Sequence, residues 1–343
     1  MIRAAIVGFG LSGKTFHYPL LRAAGFEVSA IVVSDPGRHK APDGVYFASL
    51  DAVCENGDID LVVVCSPNPM HHDHGLRAIR AGKHVVIEKP LASTVEEASA
   101  LCQAAGRSQG VATVFHSRRW DGDFLTLRRL LREGAVGDWQ ILESRWGMNK
   151  PVAQKRWKDN DDLGGGLLAD FMPHMIDQAL CLFGLPDRVD ADIATQRVGG
   201  IGADYVAVTM RYGSKRVSLA TDCFSSNPGW RFRLAGTMAE YICMGTDQQE
   251  AQLRAGMSPS APDFGLSSTE LISRLAPMSG EPRAINLDRG NYLGFYNQLK
   301  VAIAEGQPVP VDISEAANVV AIIDSLRTTG CWTPEPSQTT RLP

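Results

Sequence analysis

The sequence predicts an α/β protein of two domains, a doubly wound parallel sheet followed by an α+β domain on a largely antiparallel open sheet. Three observations carry that expectation. The first third alternates near-continuous apolar runs with amphipathic stretches, the texture of βαβ units around a sheet buried on both faces. A glycine cluster, Gly8-Phe9-Gly10-Leu11-Ser12-Gly13, separates the first apolar run from the first amphipathic stretch. Beyond Ser117 the apolar pattern shifts to a period of two, as in strands with one covered face. Length agrees, because 343 residues exceed the ~250–300 at which a single core stops growing.

In chain order, strands are expected over residues 2–7, 27–33, 61–65, 84–88 and 111–115, with helices over 12–24, 70–81 and 94–108 between them. Ser93-Thr94-Val95-Glu96 reads as a capping box opening the last of these helices. We place the domain boundary after residue 118, giving domains of 1–118 and 119–343. In the second domain a helix is expected over 121–132 and strands over 140–146, 205–212, 215–222, 231–235 and 241–244. Residues 247–283, rich in Ser, Pro and Gly, read as an irregular excursion, and helices over 292–304 and 314–328 close the chain.

Composition narrows the function classes. A 44% hydrophobic and 21% charged chain of net charge -4 is ordinary globular material, without the basic surplus that binds nucleic acid or anionic membranes. No apolar run approaches the roughly 20 residues that span a bilayer. Residues 1–7 lead straight into glycines without the apolar stretch of a signal peptide, and seven cysteines lie scattered without a C-x-x-C pair. A cytoplasmic protein with reduced thiols is expected.

The glycine cluster is a G-x-G-x-x-G match in the context that its chemistry requires, after a strand and opening a helix. The first glycine makes a tight turn and the second lets backbone approach a pyrophosphate. The third allows close helix–strand packing, while the helix N-terminus draws the phosphates. This predicts a Rossmann dinucleotide-binding domain. The second strand then bears on the cofactor. It ends Val32-Val33-Ser34 without the acidic residue that usually accepts from the NAD ribose. Ser34 and Arg38 could hold a 2′-phosphate, with His39 and Lys40 adding positive potential, and NADP is favoured over NAD. The competing reading has Asp35 reach the ribose while Arg38 is merely solvated.

Two segments fall at strand ends, where open α/β sheets bind ligands. Ser66-Pro67-Asn68 precedes His71 and the second expected helix, and Glu88-Lys89-Pro90 ends the fourth apolar strand, with Lys89–Pro90 a candidate cis peptide. A lysine there is either a surface residue or a working one. Further on, Gly164-Gly165-Gly166 precedes Asp170 and His174, an i,i+4 pair expected on one helical face. Such a carboxylate can orient an imidazole and stabilise its charged form, although the same pairing also serves only to stabilise helices. Catalytic zinc needs about three protein ligands and no second ligand motif lies nearby, so no metal is expected.

Taken together, Gly8-x-Gly10-x-x-Gly13, Ser66-Pro67-Asn68-x-x-His71, the block from Ala81 to Pro90 and Gly164-Gly165-Gly166-x-x-x-Asp170-x-x-x-His174 resemble the Gfo/Idh/MocA oxidoreductase family. Leu11-Ser12-Gly13-Lys14-Thr15-Phe16-His17, Phe115-His116-Ser117-Arg118-Arg119-Trp120-Asp121 and Gly290-Asn291-Tyr292 are most similar to its NADP-dependent scyllo-inositol dehydrogenase branch. The resemblance implies cofactor contacts along Gly8–Gly13 (Phe9, Leu11 and Ser12 included), at Ser34 and Arg38, at Ser66, Pro67, Asn68 and His71, and at Glu88 and Lys89. It implies catalytic roles for Lys89, Asp170 and His174, and substrate contacts from Arg118, Trp157, Asp170 and His174.

The implied activity is hydride transfer between a secondary alcohol of a polyol or sugar, inositol-like first, and NADP. The family also contains non-catalytic NADP-binding sensors, sugar dehydrogenases or reductases of aldoses and ketoses, and cofactor-assisted glycoside hydrolases. Sensors tend to lose the lysine or the histidine, and this chain keeps both. A small-molecule substrate and a homodimer or homotetramer are expected, with no nucleic-acid or membrane partner.

Overall fold

The computed structural model describes residues 1–153, 165–227, 229–267 and 272–335. In chain order its elements begin β1 (Arg3–Val7), α1 (Tyr18–Ala23), β2 (Glu27–Val32), β3 (Tyr46–Phe47), α2 (Leu50–Glu55), β4 (Leu61–Val64), α3 (His71–Arg80), β5 (His84–Glu88), α4 (Val95–Ala105) and β6 (Ala112–Phe115). There follow α5 (Gly122–Arg132), β7 (Trp139–Gly147), α6 (Gly166–Asp170), α7 (Met172–Phe183), β8 (Arg188–Ala194), β9 (Tyr205–Tyr212), β10 (Lys215–Asp222), β11 (Trp230–Gly236) and β12 (Ala239–Met244). The chain closes with α8 (Gln249–Arg254), β13 (Ile272–Pro277), β14 (Arg283–Ala284), α9 (Tyr292–Glu305), α10 (Ile313–Thr329) and β15 (Cys331–Trp332).

These elements form two compact units. The first comprises Met1–Trp120, Gln249–Gly265 and Asn291–Val320, and the second Asp121–Gln248, Leu266–Gly290 and Ala321–Pro343. The single boundary expected after residue 118 is therefore corrected, since two later segments return to the first unit. Apolar burial explains the return. Tyr292, Phe295, Tyr296 and Leu299 of α9 are fully buried in the same core as Ile6 and Val63, and Phe295 meets Phe115 edge-on at 4.9 Å. Without α9 that face of the sheet would stand open to water.

In the first unit six strands run parallel in the order β3-β2-β1-β4-β5-β6. Every residue of β4 is buried, as a strand covered on both faces requires. The order reverses between β1 and β4, so the carboxyl ends of those two strands open the crevice where doubly wound sheets take ligands. The cap of α4 lies one residue later than expected. Thr94 accepts from the Glu97 amide, and the Glu97 carboxylate accepts from the Ser93 amide at 2.9 Å.

The second unit carries a nine-stranded sheet in the order β14-β13-β12-β11-β7-β10-β9-β8-β15. Its pairings are antiparallel except β7 with β10, as the alternating pattern predicts. Alternate residues of β9 and β10 are buried, among them Val206, Val208, Met210, Val217 and Leu219. The expected irregular excursion over 247–283 is corrected in part, because it contains α8 and β13.

Candidate functional site

Three glycines of the G-x-G-x-x-G loop have three different surroundings in the first unit. Gly8 has φ +95°, and a Cβ there would lie 2.5 Å from the Cys65 carbonyl oxygen, so the β1 and β4 backbones meet only over glycine. A Cβ on Gly13 would fall 2.3 Å from the Gly8 carbonyl, which locks the helix start against the loop. At Gly10 nothing lies within 4 Å of the Cβ position. That open space beside a helix start is the cradle a pyrophosphate needs, and the loop fits the dinucleotide that its motif implies. The helix opens at Leu11 and Ser12 and passes into a π turn over Gly13–His17, with the His17 side chain fully buried.

At the end of β2, Asp35 folds back on its own turn. Its carboxylate accepts from the Gly37 amide at 3.1 Å and pairs with Arg38 Nε at 2.9 Å. The side chains of Arg38 and Asp35 are 84% and 52% exposed, so this pairing is worth less than about 1 kcal/mol.

Glu88, at the end of β5, is the hub of the site. One of its carboxylate oxygens accepts from the Ser12 hydroxyl and lies 3.1 Å from His17 Nε2, while the other accepts from the Lys89 amide at 3.0 Å. The Lys89–Pro90 peptide is cis, as the sequence suggested. Burial alone would raise the Glu88 carboxyl. The hydrogen bond and charge of His17, then Ser12 and the charge of Lys89, outweigh it and hold the group down at about 2. A depressed carboxylate binds protons more readily in the unfolded chain, so its contribution is present above its ordinary value of 4.5 and lost as pH falls towards 2. Over that window the wild type is expected to lose on the order of 3 kcal/mol more unfolding free energy than Glu88→Gln, measured by denaturant titration at stepped pH. Parallel losses would show that Glu88 contributes nothing there.

His71 was expected to face the cofactor, and the structure gives it another task. It is 1% exposed, with Nδ1 2.7 Å from the Pro90 carbonyl and Nε2 2.9 Å from the Ser66 carbonyl. Burial, the largest influence, lowers its proton affinity below the usual value despite those two acceptors. A neutral ring has one N–H and donates to one of these two carbonyls, and both ring nitrogens lie against backbone. Ser66 is further held by its hydroxyl, 3.0 Å from His74 Nδ1. Pro67 is exposed and Asn68 half-buried.

Arg118 follows β6 in a 3-10 turn over Ser117–Trp120. It donates to the Tyr292 hydroxyl at 3.0 Å and pairs with Glu250, with only 11% of its side chain exposed. Its placement thus depends on α8 and α9, which sequence spacing could not reveal. Glu250 and Tyr296 are structural partners that the sequence did not indicate, while His17 and Tyr292 stood out there only as parts of the branch-like segments, without these contacts.

In the second unit Gly166 opens α6 at φ +76°, where a Cβ would lie 2.9 Å from the Ala203 amide. The next amide, of Leu167, donates to the Ala203 carbonyl at 2.7 Å and so fixes the helix start beside the residues leading into β9. Asp170 and His174 do not share one continuous helix, although Phe171 between them keeps a right-handed helical backbone at φ -102° and ψ -41°. Asp170 ends α6, Phe171 links the two, and His174 stands in the first turn of α7. Pro173 brings no N–H to continue the ladder, and the His174 amide closes instead on the Phe171 carbonyl at 3.1 Å. Both side chains are half-buried. The Phe171 ring packs edge-on against Trp146 at 5.4 Å, and the Arg231 guanidinium lies 4.6 Å from the Trp146 ring centre. Gly164 and Trp157 lie outside the described residues. Among the described residues no group of three or more His, Cys, Asp or Glu is placed to hold a metal ion, and no helix is long and apolar enough to cross a membrane.

Residues 2–116 match the GFO_IDH_MocA oxidoreductase family, NAD-binding Rossmann fold, and residues 128–328 match its C-terminal alpha/beta domain. The chain belongs to the Gfo/Idh/MocA family. Among Gfo/Idh/MocA relatives, the Bacillus subtilis (strain 168) protein named scyllo-inositol 2-dehydrogenase (NADP(+)) IolW is 34% identical over 94% of this chain and 92% of that protein. The Escherichia coli (strain K12) protein named uncharacterized oxidoreductase YdgJ is also 34% identical, over 94% of each. Of solved structures, the putative oxidoreductase yvaA from Bacillus subtilis superposes with a TM-score of 0.93 at 33% identity, covering 97% of this chain and 98% of that one. The Gfo/Idh/MocA assignment makes this chain an oxidoreductase with an NAD(P)-binding Rossmann domain, and inositol dehydrogenases are among its relatives.

Proposed function

We propose that the chain is an NADP-dependent dehydrogenase that oxidises a secondary alcohol of a polyol or sugar ring, with inositol-like rings first. The observation that carries the cofactor choice is the turn after β2. Asp35 accepts from the Gly37 amide within its own turn, and its weak exposed pair with Arg38 lets Arg38 exchange it for a 2′-phosphate. The name of the Bacillus subtilis relative agrees on both cofactor and substrate class.

When bound, the dinucleotide supplies the hydride acceptor. The protein must then orient the carbinol and move one proton. His174 takes that proton, since imidazole titrates near neutral pH. Asp170 orients the ring or accepts from a neighbouring substrate hydroxyl. The Lys89 ammonium stabilises the developing alkoxide, and Arg118 and Trp157 contact the substrate. A second assignment gives the proton to Lys89 and leaves His174 to bind.

The test is an absorbance screen of NADP+ and NAD+ against inositol isomers, aldoses and ketoses. NADP+ is expected to lead by at least about tenfold in kcat/KM, with Arg38→Ala erasing most of that lead, as the loss of a charge-assisted phosphate contact implies. A preference for NAD+ would reverse the cofactor assignment. Tight NADPH binding without turnover across the panel would identify a sensor instead.

A further inference from the structure

We infer that Glu88 is the positioning residue for Lys89, and that Tyr296 and His17 form the buried relay that selects the position of Glu88. This rests on the assignment of Lys89 to the chemistry. The relay crosses the first unit from a helix near the end of the chain to the end of β5. His17 and Tyr296 are both fully buried, with the Tyr296 hydroxyl 2.5 Å from His17 Nδ1 and His17 Nε2 3.1 Å from Glu88. The His17 ring also packs on Phe115 at 4.6 Å, so it has little rotational freedom. Burial pushes the Tyr296 phenol well up, and it keeps its proton to donate. Nε2–H donates to Glu88 in either charge state of the ring, and Nδ1 meets the Tyr296 hydroxyl.

With one carboxylate oxygen held by His17 and Ser12, the other is left on the Lys89 amide. On the far side of Lys89, the Pro90 carbonyl lies 2.7 Å from His71 Nδ1. The lysine backbone is therefore pinned from both neighbours. Because Ser12 belongs to the glycine loop, the loop and the lysine share a single support. A bare packing role would need none of these polar groups, since a buried carboxylate, imidazole and phenol cost desolvation that an apolar trio would avoid.

The experiment compares His17→Leu, which removes the donor, with His17→Gln, whose amide nitrogen can still donate to Glu88. Amide hydrogen exchange across residues 84–92 is the first readout, and kcat with the dinucleotide dissociation constant the second. In His17→Leu the Lys89 amide is expected to exchange at least about tenfold faster, as local opening of a freed hydrogen bond requires, while His17→Gln stays within about threefold of wild type. Turnover should fall in His17→Leu and recover in His17→Gln, with dinucleotide binding little changed in either. Unchanged exchange in His17→Leu, or equal acceleration in both variants, would overturn the relay. Faster exchange with undiminished turnover would uphold the positioning and instead remove Lys89 from the chemistry.

Discussion

Lys89→Ala is expected to lose at least about a hundredfold in kcat for polyol oxidation, the usual scale of a general acid–base or charge-stabilising group. Dinucleotide affinity should change far less. The loop that cradles the phosphates is shaped by Gly8, Gly10 and Gly13, and Ser12 stays on Glu88 whatever side chain follows. His174→Ala should show a loss of similar size. The two losses separate the competing assignments by their pH dependence. If His174 carries the proton, its alanine variant loses the acidic limb of the kcat profile, whereas Lys89→Ala keeps it. Steady-state kinetics from pH 5 to 10 decide the matter, and near wild-type turnover in either variant would remove that residue from the mechanism.

Gly13→Ala and Gly10→Ala should separate folding from binding within one six-residue loop. The added methyl at residue 13 would lie 2.3 Å from the Gly8 carbonyl and 3.1 Å from the Cys65 sulfur. Backbone is the obstacle on the near side, so relief requires the helix start to move. A destabilisation on the order of 3 kcal/mol is expected, at the upper end for overpacking. At residue 10 the methyl enters open space, so the melting temperature should hold while dinucleotide affinity drops by at least about tenfold, because close backbone approach to the pyrophosphate is lost. Thermal denaturation and a dinucleotide titration on the same samples read both effects. Equal melting temperatures for the two variants would contradict the packing roles.

The sequence revealed much of the parallel sheet because strands covered on both faces are apolar throughout. β5 and β9 lie over the residues that their patterns indicate, and β1, β2, β4 and β6 within one residue at either end. β3, with two residues, was too short to leave a pattern. β8 was hidden for a different reason. Arg188-Val189-Asp190-Ala191-Asp192 alternates charged residues with only small or β-branched ones, and Asp190 is partly neutralised by Arg188 and Arg211. Of the candidate site, local motifs disclosed the glycine loop, Lys89 and the Asp170–His174 pair. Sequence spacing could not disclose the break at Phe171, although Pro173 was visible. It could not link Arg118 to Glu250 and Tyr292, or His17 to Tyr296 across 279 positions, because such pairings are set by how distant segments pack.

The return of α9 to the first unit also has a consequence for biosynthesis. Phe115 leaves the ribosome about 180 residues before Phe295, the ring that covers it, and at ordinary translation rates that gap lasts roughly ten to forty seconds. For that interval the nascent nucleotide-binding sheet has an uncovered apolar flank and lacks its Tyr296 anchor. A gene fragment ending near residue 118 would carry the same exposed flank permanently. The dinucleotide unit is encoded first but completed late, and its vulnerable period is spent on the ribosome.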